Sequence, residues 1–321
     1  QVGDTGTLAG EGGLWQVVDT RKAGLVWLHF IAESDGPAVG AEVTVTLDTA
    51  RRAAIQRHHT VTHLLHWALH EVVSREAAQK GSFVGPDKLT FDFNSAALAP
   101  AQVRDVERLV NERILENAAV SWREVPYAEV RQRGDIMQFF GDKYGETVRV
   151  VQIGGAPGAL DGYSMELCGG THTTATGEIG LFRIVTESAI AAGVRRIEAA
   201  AGLEAYETAR ATSERVSGIA GLLGTPVDGI EKRLEGLLSE QKELQKQLRR
   251  LQQRQAAQTA RELIAGAATI GATPAIIAHL GDAEGDTVQA VAEALKAGFE
   301  GVAFLTATTN GSVALAALAA P

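Results

Sequence analysis

The sequence predicts an α+β fold that changes character about two thirds of the way along the chain, and three observations support this. Short alternating apolar and polar segments, separated by glycine turns, fill residues 1–50 and are typical of antiparallel strands. Helical and strand-like stretches then alternate as far as residue 202. From residue 203 the composition changes to long helices, which are followed by a small α/β pattern.

Composition limits the class of protein. A chain of 321 residues suggests two or three domains, and a hydrophobic content of 45% is enough to bury a core. No membrane-spanning run and no signal peptide is visible, so no membrane partner is expected. The one cysteine cannot form an internal disulfide, and we expect a cytoplasmic protein. A net charge of −9 is unfavourable for a nucleic-acid binder taken as a whole, although a local basic stripe remains open, and no DNA partner is expected.

The first predicted domain covers residues 1–50. Its segments "GLWQVVD", "AGLVWLHFIA" and "AEVTVTLD" predict a small β-barrel-like or sandwich subdomain. The chain begins with glutamine and ends inside an α/β pattern, so both ends are expected to be cuts through a longer protein.

The second predicted domain covers residues 51–202 and combines helices with strands. Residues 51–78 contain no glycine or proline and predict a helix, and "APAQVRDVERLVNERILENAA" predicts an amphipathic helix with proline near its start. Strands are predicted for the segments "LTFDFN", "TVRVVQI" and "LFRIVTES".

The third predicted domain, residues 203–264, is a long helical hairpin or coiled coil. "GTP" at 224–226 separates two helices, and the second helix carries leucines at alternating spacings of four and three residues. Six Lys or Arg and one acidic residue lie in 242–261, which indicates either a nucleic-acid contact or a solvated face. Residues 265–321 predict a small, incomplete α/β domain.

Histidines are concentrated in one predicted helix. "RHHTVTHLLHWALHEVV" holds five of the eight histidines of the chain. On a helix, residues four apart share a face, so His59 and His63 form one pair and His66 and His70 form another, while His58 points elsewhere. Spacing alone therefore leaves two candidate HxxxH pairs, and polar helix faces have the same spacing.

A second cluster, "SMELCGGTHTTATGEIG", raises the case for a metal site. It holds Cys168 and, four residues later, His172, and the two glycines between them allow the loop to curl. Two histidines of the helix together with this pair would give three imidazole nitrogens and one thiolate sulfur, a donor set suited to tetrahedral zinc. A buried cysteine beside an ordinary glycine turn is the alternative.

Together these two segments resemble the editing domain of alanyl-tRNA synthetases. "HHTVTHLLHWAL" is similar to that family's HTxTHLL segment, and "ELCGGTH" is similar to its CGGTH segment. Further matching stretches are "QKGSFVGPDKLTFDF", "FFGDKYGETVRVVQIG" and "GEIGLFRIVTESAIAAGVRRIEAAAG". Free-standing alanyl-tRNA editing proteins and threonyl-tRNA synthetase editing domains share the paired motifs. The predicted helical hairpin and terminal α/β domain resemble the DHH-associated C-terminal region of the synthetases.

The resemblance implies a zinc-containing editing domain with one Zn²⁺ per chain. Matched motif to motif, the implied ligands are His59, His63, Cys168 and His172. His66 would line the pocket or support the ligands, and His70 is expected at the surface. ATP would serve only an aminoacylation core, and no such core is recognisable in this chain.

Other candidate residues carry weaker signals. The candidate catalytic residues are Gln79, Thr60 and Asp92. Gln79 would bind a serine hydroxyl or position water, or is a solvated loop residue, and Thr60 would contact the same hydroxyl. Asp92 would orient a zinc-bound histidine, or is a charge on a strand face. Thr62 is a candidate substrate contact or a helix packing residue. Arg195 and Arg196 are adjacent on a predicted strand and face opposite ways, so one is a candidate for contacting phosphate or ribose of tRNA and the other for pairing with a structural acid.

The implied activity is hydrolysis of mischarged Ser-tRNA(Ala) and Gly-tRNA(Ala), with the acceptor end of tRNA(Ala) as partner and a homodimer through the C-terminal region as a further expectation. Two alternatives remain. One is a free-standing trans-editing deacylase. The other is a zinc-stapled module that binds tRNA or dimerises without chemistry.

Overall fold

The structure is a computed structural model that describes residues 1–138 and 144–319. The chain divides into two compact units, Gln1–Arg215 and Val216–Pro321. The predicted division into four domains stays a prediction.

Two predicted stretches are only partly described. Residues 139–143, which open the motif "FFGDKYGETVRVVQIG", lie outside the described residues. Residues 320–321, at the end of the predicted C-terminal domain, also lie outside them.

The first sheet is antiparallel and has the strand order β3-β2-β1-β4. Its strands are β1 (Gly6–Gly10), β2 (Gly13–Ala23), β3 (Val26–Ile31) and β4 (Val43–Leu47). The prediction of a barrel-like subdomain is wrong, because β3 and β4 are the two edges of an open sheet. Four short strands are too few to close around an interior that side chains can fill. A small cluster of Leu8, Trp15 and Val17 is the core of this part.

A long helix and a second sheet form the main core of the first unit. Helix α1 (Thr49–Val72) begins after Asp48, whose side chain accepts a hydrogen bond from the Arg51 N–H at 3.0 Å. The antiparallel sheet has the order β10-β11-β6-β5. Its strands are β5 (Gln79–Val84), β6 (Leu89–Asn94), β10 (Phe182–Ala191) and β11 (Val194–Ala201). Helix α2 (Pro100–Leu115) packs against α1 and joins the same apolar core.

A third sheet leads into the cysteine loop, residues 168–172. Its order is β7-β8-β9, with β7 (Val120–Pro126), β8 (Thr147–Ile153) and β9 (Ser164–Leu167), and the short helix α3 (Tyr127–Val130) follows β7. Strand β9 ends one residue before Cys168, so the sheet fixes where this loop begins.

Two helices follow the second sheet. They are α4 (Leu203–Leu223) and α5 (Ile230–Ala265), separated by a 3-10 turn at Val227–Gly229. These helices confirm the two predicted helical segments, while the packing of one on the other stays a prediction. Along α5 the predicted apolar seam is exposed at Leu244, Leu248 and Leu251. Among the described residues no helix combines the length and the apolar composition needed to cross a membrane.

The second unit ends in a small α/β layer. Its sheet has the order β12-β13-β14-β15, with β12 (Ala268–Ile270), β13 (Thr273–Asp282), β14 (Val302–Thr309) and β15 (Ser312–Ala319). Helix α6 (Gly285–Lys296) connects β13 to β14, the one parallel pair in this sheet. The end of α5 packs on the same core through Ala256 and Ala260.

Candidate metal centre

Helix α1 presents His59 and His63 on one face. The two imidazoles stack with their ring centroids 5.4 Å apart, one helical turn from each other. His58 points to the other side, where its Nδ1 lies 2.9 Å from the Gly85 carbonyl and its Nε2 accepts a hydrogen bond from the Ala201 N–H. The helix therefore directs His58 to a structural contact and the adjacent His59 to the candidate metal-binding face.

The loop after β9 brings Cys168 and His172 to this face. The Cys168 Sγ lies 3.3 Å from His59 Nε2 and 3.4 Å from His172 Nε2. The donor atoms of His59, His63, Cys168 and His172 all lie within 4.8 Å of one another. The structure thus selects the first of the two HxxxH pairs of the helix.

Each histidine of the cluster is oriented through its Nδ1. The Nδ1 of His59 lies 2.8 Å from Gln1 Oε1, and that of His172 lies 3.3 Å from Thr60 Oγ1. The Nδ1 of His63 contacts the Glu166 carboxylate. With each Nδ1 engaged, the Nε2 atoms point into the cluster, as outer partners orient the histidine ligands of metal sites.

The donor set fits a tetrahedral metal ion. The Nε2 of His63 is buried without a hydrogen-bond partner among the described residues, which is costly unless another group binds it. Zinc bonds of about 2.3 Å to sulfur and about 2.0–2.1 Å to nitrogen put neighbouring ligands of a tetrahedron roughly 3.5 Å apart. The two sulfur–nitrogen distances in the cluster, 3.3 and 3.4 Å, are close to this value.

The charged and buried groups of the cluster shift one another's pKa values in different directions. Burial acts to raise the pKa of Glu166, but the adjacent His63 outweighs burial and the pKa falls to about 2. Burial acts to lower the pKa of His63, but Glu166 and Cys168 outweigh it and raise the pKa to about 10. Burial acts to raise the pKa of the Cys168 thiol, but the neighbouring imidazoles outweigh burial and hold this pKa far below its usual range. Burial lowers the pKa of His172 to about 3, which keeps that ring neutral and able to bind a metal.

Two further features hold the cysteine loop. The Arg149 Nε donates to the Cys168 carbonyl at 2.9 Å, and another guanidinium nitrogen donates to the Gly170 carbonyl. Gly170 lies so close to the His59 ring that a Cβ there would overlap the imidazole. The loop therefore needs both an arginine behind it and a residue without a side chain at position 170.

The candidate catalytic residues lie in different surroundings. Thr60 is fully buried, and its hydroxyl contacts His172 and accepts from the Thr173 N–H at 3.0 Å, so it orients a ligand. Gln79 is half-buried at the start of β5 and donates to Ser82 Oγ at 3.0 Å. Asp92 is not the carboxylate that contacts a histidine of the cluster: it accepts two hydrogen bonds from Arg196, at 2.7 and 2.8 Å.

The candidate substrate contacts are each engaged within the protein. Thr62 is buried and donates to the His58 carbonyl at 2.7 Å, the bond of a helix packing residue. Arg195 pairs with Glu187, and Arg196 pairs with Asp92 on the neighbouring strand. The two arginines thus use different acids, and their role toward tRNA stays a prediction.

The second histidine pair supports the first. His66 is buried, and its Nδ1 lies 2.8 Å from Glu166 Oε1, so it reaches the ligand His63 through a shared carboxylate. His70 was expected at the surface, and the structure shows it partly exposed. Its ring is half-buried, and the ring centroid lies 4.4 Å from that of His66. The His70 Nε2 lies 2.7 Å from the Ala77 carbonyl oxygen.

Sequence reasoning missed Glu166 and Arg149. A local signal existed for Glu166, which stands two residues before Cys168 on a strand, where alternate side chains share a face. For Arg149 there was no such signal, because strand β8 brings it to the loop from 19 residues away.

Comparison with known proteins adds family information to this geometry. Residues 148–198 match the family model described as the threonyl and alanyl tRNA synthetase second additional domain. This segment contains Glu166, Cys168 and His172. The chain is also 41% identical over 321 residues to the alanine–tRNA ligase of Aromatoleum aromaticum, covering 99% of this chain and 36% of the ligase.

The chain belongs to the alanine–tRNA ligase family. It is 39% identical to the ligase of Roseiflexus castenholzii over 340 residues, which cover 100% of this chain and 38% of that protein. It is 50% identical to the ligase of Akkermansia muciniphila over 212 residues, or 65% of this chain and 22% of that protein. The chain thus spans between a third and two fifths of the length of the first two alanine–tRNA ligases.

Proposed function

We propose that this part of an alanine–tRNA ligase hydrolyses the ester that links a wrongly attached serine or glycine to tRNA(Ala). The single observation that carries the proposal is the convergence of His59, His63, Cys168 and His172, with every histidine oriented through its Nδ1. The match to a domain of threonyl and alanyl tRNA synthetases supports the same substrate class.

Selection of alanine by size explains why such an activity is useful. Glycine is smaller than alanine and cannot be excluded sterically, while serine adds only one hydroxyl group. Binding differences of this kind discriminate by roughly 10–200-fold, so a second, hydrolytic site is a physical solution.

The residues of this chain would hold and orient the reacting groups. His59, His63, Cys168 and His172 would hold Zn²⁺, which supplies Lewis acidity toward an ester carbonyl or a water molecule when bound. Glu166, Thr60 and Gln1 fix the three imidazoles. In the reaction a water oxygen bonds to the acyl carbon and the bond from that carbon to the ribose oxygen breaks. One water proton passes to the ribose oxygen, and the amino acid is released.

The test is deacylation of Ser-tRNA(Ala) by the purified chain, with zinc content measured on the same sample. We expect hydrolysis that stops on chelation and returns when zinc is added. Cys168→Ala should lose both zinc and hydrolysis, because it removes the one sulfur ligand. The matched control is His279→Ala, which removes a histidine of the second unit, 3.0 Å from Thr306 Oγ1, and should retain both.

The alternatives correspond to different results. One zinc per chain with no hydrolysis would contradict the proposed chemistry and favour a zinc-stapled tRNA-binding module. Full zinc and full hydrolysis in Cys168→Ala would contradict the ligand assignment. The free-standing trans-editing alternative predicts the same hydrolysis, so this assay does not separate it. The predicted homodimer and cytoplasmic location also stay proposals.

A further inference from the structure

A large groove lies beside the metal centre within the first unit. It has a volume of about 1190 Å³ and runs between one face of the first sheet and the loop after Cys168. On the loop side it is lined by Gly169, Gly170 and Thr171, so the groove and the ligand cluster share this loop. The volume exceeds the roughly 300–1,000 Å³ of a site for a drug-sized ligand, and the groove is therefore suited to an extended ligand.

The far wall of the groove combines an aromatic ring with a cation. In the pairing of β2 with β3, Thr20 lies opposite His29 and Lys22 lies opposite Trp27, which puts these four side chains on one face. All four line the groove. Trp27 is 61% exposed, and the Lys22 Nζ lies 5.4 Å from its ring centroid.

The charges of this groove favour an anionic ligand. Its two acids are neutralised within the protein, Asp19 by Arg21 and Asp4 by Arg52. Among the described residues Lys22 has no acidic partner at ion-pair distance, so its charge is available to a ligand. An exposed aromatic face beside an uncompensated cation is the combination that binds single-stranded nucleic acid, through base stacking and phosphate contact.

We propose that this groove binds the single-stranded 3′ end of tRNA, with a base that precedes the terminal adenosine stacked on Trp27 and a backbone phosphate near Lys22. This inference rests on the proposed function, which puts the aminoacylated adenosine at the metal centre. The nucleotides before it then continue past Gly169–Thr171 into the groove.

The experiment measures binding of an uncharged RNA minihelix by fluorescence anisotropy. One minihelix carries the complete single-stranded 3′ end. In the second minihelix the single-stranded end is shortened to one unpaired adenosine. Trp27→Ala should weaken binding of the first RNA by roughly tenfold or more, the effect expected for a lost stacking contact. The same variant should bind the trimmed RNA as tightly as the unchanged protein does. Lys22→Gln should reduce the slope of log affinity against log salt by about 0.7, the value for one single-strand phosphate.

The matched control is Phe30→Ala on the opposite face of the same strand. Phe30 is also exposed and also lies beneath a cation, with the Arg21 Cζ 5.1 Å from its ring, but it does not line the groove. This variant should bind both RNAs normally. Equal losses in Trp27→Ala and Phe30→Ala, or no loss in Trp27→Ala, would overturn the inference.

The binding assay and the deacylation assay fail independently. Loss of single-strand binding in Trp27→Ala, in a chain that does not hydrolyse Ser-tRNA(Ala), would support the groove and contradict the proposed hydrolysis. Hydrolysis with a KM that Trp27→Ala does not change, together with unchanged binding, would support the activity and contradict the groove.

Discussion

At the scale of single residues, the centre depends on which groups contact the second nitrogen of each histidine. Glu166 contacts both His63 and His66, whereas Asp92 is committed to Arg196. Both carboxylates are almost fully buried, so burial alone does not distinguish them. Their partners do: an acid paired with arginine stabilises the sheet, and an acid paired with a ligand histidine tunes the metal.

Glu166→Gln should therefore weaken metal binding more than Asp92→Asn. Losing the carboxylate on His63 removes the group that orients its Nε2, and the loss of such a partner typically costs about 10–100-fold in metal affinity. Competition for zinc with a chromophoric chelator measures the effect. The control, Asp92→Asn, breaks an ion pair outside the cluster and should leave zinc affinity within about twofold, while lowering the melting temperature. The opposite order would show that Asp92, and not Glu166, supports the centre.

At the scale of elements, helix α1 and the cysteine loop position the site together. His58 bonds to Gly85 and Ala201 on one side of α1, and this fixes the rotation that turns His59 and His63 toward the loop. The loop is fixed by Arg149 and by the close approach of Gly170 to His59. A change in the rotation of α1 or in the position of the cysteine loop would separate the thiolate from the imidazoles.

The two adjacent glycines of the loop should respond differently to alanine. A Cβ at position 170 would overlap the His59 ring, while a Cβ at position 169 would meet nothing within 4 Å. Gly170→Ala should therefore lose zinc and deacylation, and Gly169→Ala should retain zinc. Zinc content by atomic absorption, with circular dichroism to confirm folding, checks this. Full zinc in Gly170→Ala would contradict the close approach of this loop to the His59 ring.

At the scale of the whole molecule, the chain separates the candidate chemistry from the second unit. All four candidate ligand residues, their orienting partners and the groove lie in Gln1–Arg215. The second unit has a core of its own, built from α6, its sheet and the end of α5. The basic arm of α5, residues 242–261, and the exposed leucines of this helix make the second unit a candidate for contacts with tRNA or with a second copy.

A chain that ends at Arg215 should accordingly keep one zinc per molecule. The main core and the metal centre are complete within this unit, so we expect unchanged zinc affinity and retained hydrolysis at saturating Ser-tRNA(Ala). KM should rise if the basic arm contacts tRNA, because each lost cation weakens phosphate binding. Steady-state kinetics on both chains measure this. Loss of zinc from a folded shorter chain would show that the second unit supports the centre.

Much of the site could be predicted from local sequence, because local chemistry determines it. Helical spacing limited the ligand pairs to two, and the lone cysteine with a histidine four residues later supplied the other donors. The strands and helices followed from periodicity in the same way. Choosing between the pairs, however, needed the family resemblance or the structure, since His66 and His70 have the same spacing as His59 and His63.

What the sequence determined by itself is the chemical type of the candidate donors, three imidazoles and one thiol, together with the main elements and the family to which the chain belongs. Only the tertiary structure decided that Glu166 pairs with His63 while Asp92 pairs with Arg196. It also decided that the first sheet stays open and that Arg149 holds the cysteine loop. The physical reason is distance along the chain. Helical period and strand alternation are properties of neighbouring residues, whereas Glu166 reaches His63 across 103 residues through the packing of a sheet on a helix.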